Sequence, residues 1–289
     1  MLLGTVLLWA LNVTVTKFMF EHGWRPLAYG TIRYGLAILI FWAFTWWRER
    51  SFRIDRSDLW LVALAGLCIF ANQVCFVYAV KLATASTVAL LLGATPVFMG
   101  LISVVFGLDR LQWTFWIGAA VTFAGVALIA LASGGGLSGS LAGNLLAIVT
   151  AFTWACYSTS IAPLMRRYSP YRISSLVLAI GWVPLAAVGA RQVGEQTFHF
   201  GPLVWIAFAY AVIGPLFLTN LLWFTAIDRV GAPRASLFAN LQPFFSVFFA
   251  LLLLSESLHG MEIAGGLLIF AGIALDRIWH RPREPATPE

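Results

Sequence analysis

Charge is what this 289-residue chain has least of. Asp, Glu, Lys and Arg make up 10% of it and hydrophobic residues 61%, against roughly 25% charged residues in soluble domains. A water-soluble core cannot use that much apolar surface, whereas lipid can. Acid is absent from the middle of every apolar run. All 12 Asp and Glu residues fall in loops, run ends or the tail, with Asp228, Glu256 and Glu262 nearest the membrane. A proton-coupled carrier needs a carboxylate buried on its path, so movement down a substrate gradient is the simpler expectation. Histidine and cysteine are sparse too. His22, His199, His259 and His280 are scattered over loops and run ends, and Cys68, Cys75 and Cys156 lie inside apolar runs without CxxC spacing. Neither a metal site nor a disulfide is expected from them. With no HExxH, no aspartate-rich diphosphate signature and no P-loop in the sequence, an intramembrane enzyme is disfavoured and no cofactor is expected.

Long apolar runs fill the chain instead. Ten candidate helices stand near the ~20 residues that cross a bilayer, at about 2–20, 27–47, 58–80, 84–106, 113–132, 142–162, 172–191, 201–225, 232–254 and 260–279. The first begins at once, with no basic stretch before it and no cleavage site after it, and is expected to be a span, not a signal peptide. The Gly-rich connector Ser133–Gly139 divides the chain into five-helix halves, 1–132 and 142–280, and the polar, Pro-rich 281–289 reads as a disordered cytoplasmic tail. Counted by alternate ends of the spans, 13 Lys and Arg fall on one side and 3 on the other. That bias places both termini in the cytoplasm. It also explains the net charge of +6 by anionic lipid, with no nucleic-acid partner. Five spans per half is an odd number, so the second half lies upside down relative to the first. The expected architecture is all-α and polytopic: ten transmembrane helices as two inverted five-helix repeats around a central cavity. Oligomeric state is not readable here, and a monomer suffices.

A repeat supports that division. Shifted by 147 residues, the stretch 79–128 lies on 226–275 with 12 identities in 50, among them Pro96/Pro243, Gly118/Gly265 and Gly125/Gly272. A repeat of this length within a membrane chain points to a transporter with its site between the halves. Pro96 and Pro243 fall mid-span, where each removes a backbone hydrogen bond; a hinge and a fixed packing kink are both open. The glycines, seven residues apart, suit close helix contact.

Polar residues within spans are the candidates for a substrate path, because lipid contact would leave them unpaired. Trp9 and Asn12, with Thr16, share a face of the first span, and Trp154, Tyr157 and Ser158 repeat it in the sixth. Asn72-Gln73 corresponds to Thr219-Asn220, and Asn240 precedes Pro243. Phe76, Tyr78 and Trp223 stand beside the paired amides. Interhelical bonding and a shared polar path are both open for these. A path mixing amides with aromatic faces suits a small molecule with an apolar part and a few polar handles. Lys17 and Arg33 are cations within spans; each either reaches along the helix to the outer surface or offers charge to a substrate carboxylate.

These residues resemble a family. Trp9, Asn12 and Lys17, then Arg33, then Ala83-Thr84-Ala85-Ser86 leading to Pro96, Asp109 and Gly118 to Gly125 are similar to the EamA-type pattern of the drug/metabolite transporter superfamily. Trp154, Gly231 to Ser236, Pro243, Glu256 and Gly265 to Gly272 give the pattern again. The aromatic richness most resembles the YddG-type exporters of aromatic and other neutral amino acids. The resemblance implies ten helices around a central cavity and metabolite efflux across a plasma membrane, the inner membrane in a bacterium. Carriers of phosphorylated or nucleotide-linked metabolites are the runner-up, although these would want a denser basic cluster.

Overall fold

The computed structural model describes residues 1–83, 88, 91–108, 111–132, 140–242, 244–245 and 260–279, apart from the side chains at 13, 17, 130, 132, 262 and 276–279. Its helices, in order, are α1 (Leu2–Glu21), α2 (Pro26–Glu49), α3 (Leu59–Leu82), α4 (Thr95–Val105), α5 (Trp113–Ala132), α6 (Leu141–Ile161), α7 (Pro170–Gly194), α8 (Pro202–Val212), α9 (Thr219–Val230), α10 (Ala232–Ala239) and α11 (Gly260–Trp279). No strand is found among the described residues. A π turn over Ile213–Leu218 joins α8 to α9, so that Pro202–Val230 runs as one span. Six helical segments among the described residues are long and apolar enough to cross a membrane, and the apolar parts of α4, α5 and α11 are shorter. The chain is a multi-pass membrane protein. The connector 133–139 and the tail 281–289 lie outside the described residues.

Helix starts follow local chemistry. Pro26, Pro170 and Pro202 occupy the first turns of α2, α7 and α8, where a missing N–H removes no helical bond. Ser140 and Ser169 cap α6 and α7 by accepting from the Gly143 and Arg172 amides at 3.0 and 3.2 Å.

Spans four and nine differ from the expected continuous helices. The chain turns at Gly93-Ala94 and again at Asn240. Pro96 therefore stands in the first turn of α4 and not in mid-helix. Its missing N–H still matters locally: the Thr95 hydroxyl takes up the Leu92 carbonyl at 2.6 Å, the acceptor that a residue-96 amide would have served. Pro243 lies outside the described residues.

Three antiparallel contacts organise the fold. Along α2 and α7, Trp182 Nε1 donates to the Thr31 carbonyl at 2.9 Å, Trp42 Nε1 to Ser175 at 3.3 Å and Thr45 Oγ1 to Tyr171 at 3.2 Å. Both ends of this pair are clamped by charge. Arg172 meets Glu49 at 2.5 Å, with Arg167 and Tyr168 on Asp58 beside it; at the far end Glu195 bridges Arg25 and Arg191. The loops around 50–58 and 164–172 thus sit at one end of the molecule. Between α3 and α6, Asn72 Nδ2 donates to the Thr150 carbonyl at 2.9 Å.

The third contact, α5 against α11, is backbone on backbone. A Cβ on Gly125 would stand 2.5 Å from the Gly265 carbonyl oxygen, one on Gly265 would stand 2.6 Å from that of Gly125, and one on Gly272 would stand 2.7 Å from that of Gly118. Glycine is the only residue that fits these three positions without moving the partner helix.

Candidate functional site

Where α1, α6 and α9 meet, three tryptophans converge. Ring centroids of Trp9 lie 5.3 Å from Trp154 and 5.0 Å from Trp223, and Trp154 lies 6.2 Å from Trp223 and 5.3 Å from Tyr157. Three hydrogen bonds knit the cluster together. Trp9 Nε1 donates to Thr219 Oγ1 at 3.2 Å, Tyr157 OH to Asn220 Oδ1 at 3.0 Å and Trp223 Nε1 to Ser158 Oγ at 3.2 Å. Tyr157, Ser158 and Trp223 are fully buried, whereas Trp9 and Trp154 are only half-buried.

The π turn aims the α9 side of this cluster. Pro215 has no N–H, so the Ala211 carbonyl loses its helical donor and the backbone widens by one residue. Past it, Thr219 Oγ1 and Asn220 Nδ2 donate to the carbonyls of Pro215 and Leu216, both at 2.5 Å, which leaves the same Thr219 Oγ1 and the Asn220 Oδ1 to accept from Trp9 and Tyr157.

A second cluster surrounds Arg33. Its side chain is 5% exposed, so it does not reach along α2 to the surface. Nη1 donates to Asn12 Oδ1 at 3.2 Å and to Tyr29 OH at 3.1 Å, while the guanidinium carbon stands 5.1 and 5.7 Å from the Tyr29 and Tyr34 rings. Among the described residues no carboxylate lies within ion-pair distance, and the buried Nε has no hydrogen-bond partner. A basic group at a helix centre costs about 2.5–3.5 kcal/mol on insertion scales. Hydrogen bonds to a charged group return about 1.5–3 kcal/mol each, and a desolvated cation–π contact about 2 kcal/mol. Neutral partners are therefore enough to hold Arg33 in place, with one edge of the guanidinium left over.

An aromatic stack packs on the Tyr29 side of this cluster. Trp24 is sandwiched between Phe200 and Phe208, with centroids at 5.0 and 4.9 Å, and Tyr29 packs edge-on against Trp24 and Phe208 at 5.9 and 6.0 Å.

Other candidate residues lie elsewhere. Asn12 belongs with Arg33 and not with Trp9, although both are on one face of α1. Thr16 is buried and its hydroxyl has no partner. Asn72 binds α3 to α6. Gln73 is buried, with its stem near Gly30 of α2. Phe76 and Tyr78 are half-buried against the main apolar core. Asn240 Nδ2 donates to the Gly93 carbonyl at 3.3 Å and to Thr122 Oγ1 at 3.0 Å, tying the turns of spans four and nine together. The Lys17 side chain is outside those described. Tyr29 and Tyr34 were not singled out from the sequence, though Tyr29 stands four residues before Arg33, the spacing that puts two side chains on one helical face.

The comparisons with known proteins agree with a transporter. The chain matches the EamA-like transporter family over residues 1–131 and 141–276. It is 27% identical to a Salmonella typhimurium protein named "Probable amino-acid metabolite efflux pump", over 97% of this chain and 95% of that one. A Streptantibioticus cattleyicolor protein named "Probable terminal-alkyne amino-acid exporter" is 28% identical, over 80% of this chain and 78% of its own length. An uncharacterized transporter of Archaeoglobus fulgidus is 24% identical over 93% of this chain and 94% of that one. One crystal structure superposes with a TM-score of 0.79 over 96% of this chain and 95% of the other; its 20% sequence identity limits that likeness to the fold. Family and relatives point to a transporter and not to an enzyme, and the family match spans nearly the whole length: this chain belongs to the EamA-like transporter family.

Proposed function

We propose that the chain exports small amphipathic metabolites, aromatic and other neutral amino acids among them, by alternating access. In this reading 1–132 and 142–280 are inverted five-helix halves in a plasma membrane, with both termini in the cytoplasm and the substrate path between the halves. One observation carries it: the half-buried Trp9 and Trp154, one from each half, meet edge-to-face beside Trp223, with the Thr219 hydroxyl and the Asn220 amide at the same junction. Such a junction offers apolar faces together with hydrogen-bonding groups.

Two features support the inverted arrangement. Adding 147 to Gly125 gives Gly272, and subtracting it from Gly265 gives Gly118, so the Gly125–Gly265 and Gly118–Gly272 approaches are images of each other. A self-matching antiparallel contact is what a two-fold relation produces. The Asn240–Gly93 hydrogen bond likewise joins residues 147 apart. The names of two relatives, an amino-acid metabolite efflux pump and an amino-acid exporter, favour amino acids over phosphorylated metabolites.

The test is flux. Purified protein in liposomes, without nucleotide or imposed ion gradient, is expected to equilibrate labelled L-phenylalanine faster than empty liposomes, and Trp9→Ala with Trp154→Ala to slow it. No flux above the empty-liposome rate for any neutral amino acid would overturn the substrate assignment.

A further inference from the structure

We propose that Arg33 is a carboxylate receptor whose counter-ion arrives with the ligand. The argument is the allocation of its five N–H groups. Nη1 is committed to Asn12 and Tyr29. Nε is buried without a partner, and both geometrically defined bonds of the guanidinium leave from Nη1, with the Tyr34 side chain near enough to interact as well. The Nε–Nη2 edge presents two parallel N–H groups, the arrangement a carboxylate accepts through both oxygens. Tyr29 and Tyr34, with their rings near the guanidinium, and the two hydrogen bonds of Nη1 fix its plane, so the open edge is held ready before anything binds. No Asp or Glu among the described residues competes for it.

The neighbouring geometry says what the rest of the ligand looks like. Asn12, which grips Arg33, is three residues from Trp9 on α1, about 4.5 Å along the helix axis at ~1.5 Å per residue. Tyr29, which grips it from α2, is capped by Trp24. A molecule with its carboxylate on Arg33 therefore meets the Trp9–Trp154 faces about one helical turn away, as an aryl or alkyl carboxylate would. An α-amino acid meets the same description and adds an ammonium that tryptophan faces accept. This deepens the transport reading by naming the group a substrate must carry, but the carboxylate site itself stands on Arg33 alone.

The experiment is ligand binding to the full chain in detergent, read by tryptophan fluorescence and by melting temperature. The probes are 3-phenylpropionate, L-phenylalanine, L-phenylalaninamide and chloride. Wild type is expected to bind both carboxylates at least tenfold more tightly than the amide, and chloride at equal concentration is expected to leave the melting temperature unmoved. In Arg33→Gln the advantage of the carboxylates over the amide disappears, while Arg33→Lys keeps part of it. Arg33→Gln also gives up the bonds to Asn12 and Tyr29, so the ligand-free variant is expected to melt lower in either case; an arginine with only a packing role would leave the ranking of ligands alone, and that ranking is the deciding readout. Equal affinity for acid and amide in wild type overturns the inference without any variant, and chloride acting as well as the carboxylates overturns the carboxylate assignment. Phenylalanine flux that ignores both amidation and Arg33→Gln sinks the inference and leaves the transport reading standing. Carboxylate binding at Arg33 without flux of any amino acid does the reverse.

Discussion

The α5–α11 and α2–α7 contacts each join the first half of the chain to the second, each antiparallel, and they differ in what their glycines touch: partner backbone in the first, mainly the Thr31 and Trp182 side chains in the second. At α5–α11 glycines bring backbone onto backbone. At α2–α7 the helices are joined by indole and hydroxyl hydrogen bonds along their length and by ion pairs at both ends. A glycine seam has no side chain that can yield, so it fixes distance and crossing angle together. A seam of side-chain bonds consists of separate small terms, about 0.6–2 kcal/mol each inside a membrane, and can exchange them one at a time. In a protein that rocks between two states, the first suits a pivot and the second a face that reopens.

Variants can break or sharpen that contrast. The largest effect is expected for Gly265→Val, whose side chain would enter the space of the Gly125 carbonyl; overpacking costs about 1–3 kcal/mol or more, and detergent melting should fall well below that of any α2–α7 variant. A Gly265→Val protein as stable as wild type would dissolve the distinction. Next comes Asn240→Ala, which frees the Gly93 carbonyl and the Thr122 hydroxyl; a loss of about 1–2 kcal/mol is expected by the same measurement. Trp182→Phe removes the bond to Thr31 and part of the indole packed on Gly35 and should cost about 1 kcal/mol. Arg172→Ala opens a partly exposed pair, for which about 0–1 kcal/mol is the ordinary range.

The smallest effect belongs to pH. The Arg191 hydrogen bond, helped by the charge and hydrogen bond of Arg25, outweighs desolvation and holds the Glu195 carboxyl below its ordinary value of 4.5. A carboxyl depressed in the folded state stabilises above its unfolded pKa, and that contribution is lost as pH falls through the folded value. Melting between about pH 5 and pH 3 should therefore carry a small slope that Glu195→Gln removes, whereas Gly265→Val leaves it in place.

Much of this was legible in the sequence where composition or period decides. Eight of the ten expected spans appear as helices within a few residues of the expected ends, because apolar length alone marks a span. The glycine seam followed from spacing, and Trp9, Trp154, Tyr157, Ser158, Asn220 and Trp223 do come together. What spacing could not give is which neighbour a side chain chooses. Trp9 and Asn12 share a helix face, yet one bonds α9 and the other α2. Asn72 and Thr219 correspond in the repeat, yet Asn72 binds a backbone carbonyl on α6 and Thr219 serves the tryptophans. Pro96 misled for a local reason: Gly93-Ala94 ends the preceding helical turn first, and a proline just past that break starts a helix instead of bending one.

The wide turn at Ile213–Leu218 sets the phase of the eighth span. One surplus residue turns everything after it by about 100°, given 3.6 residues per revolution. Upstream of it Phe208 stacks on Trp24, and downstream Trp223 meets Trp9, so a single helix serves two inward-looking stations that a regular helix would not line up in this way. Deleting one residue there would swing Asn220 and Trp223 round toward a different neighbour while preserving the span's hydrophobicity, separating the protein's ability to insert from its ability to recognise.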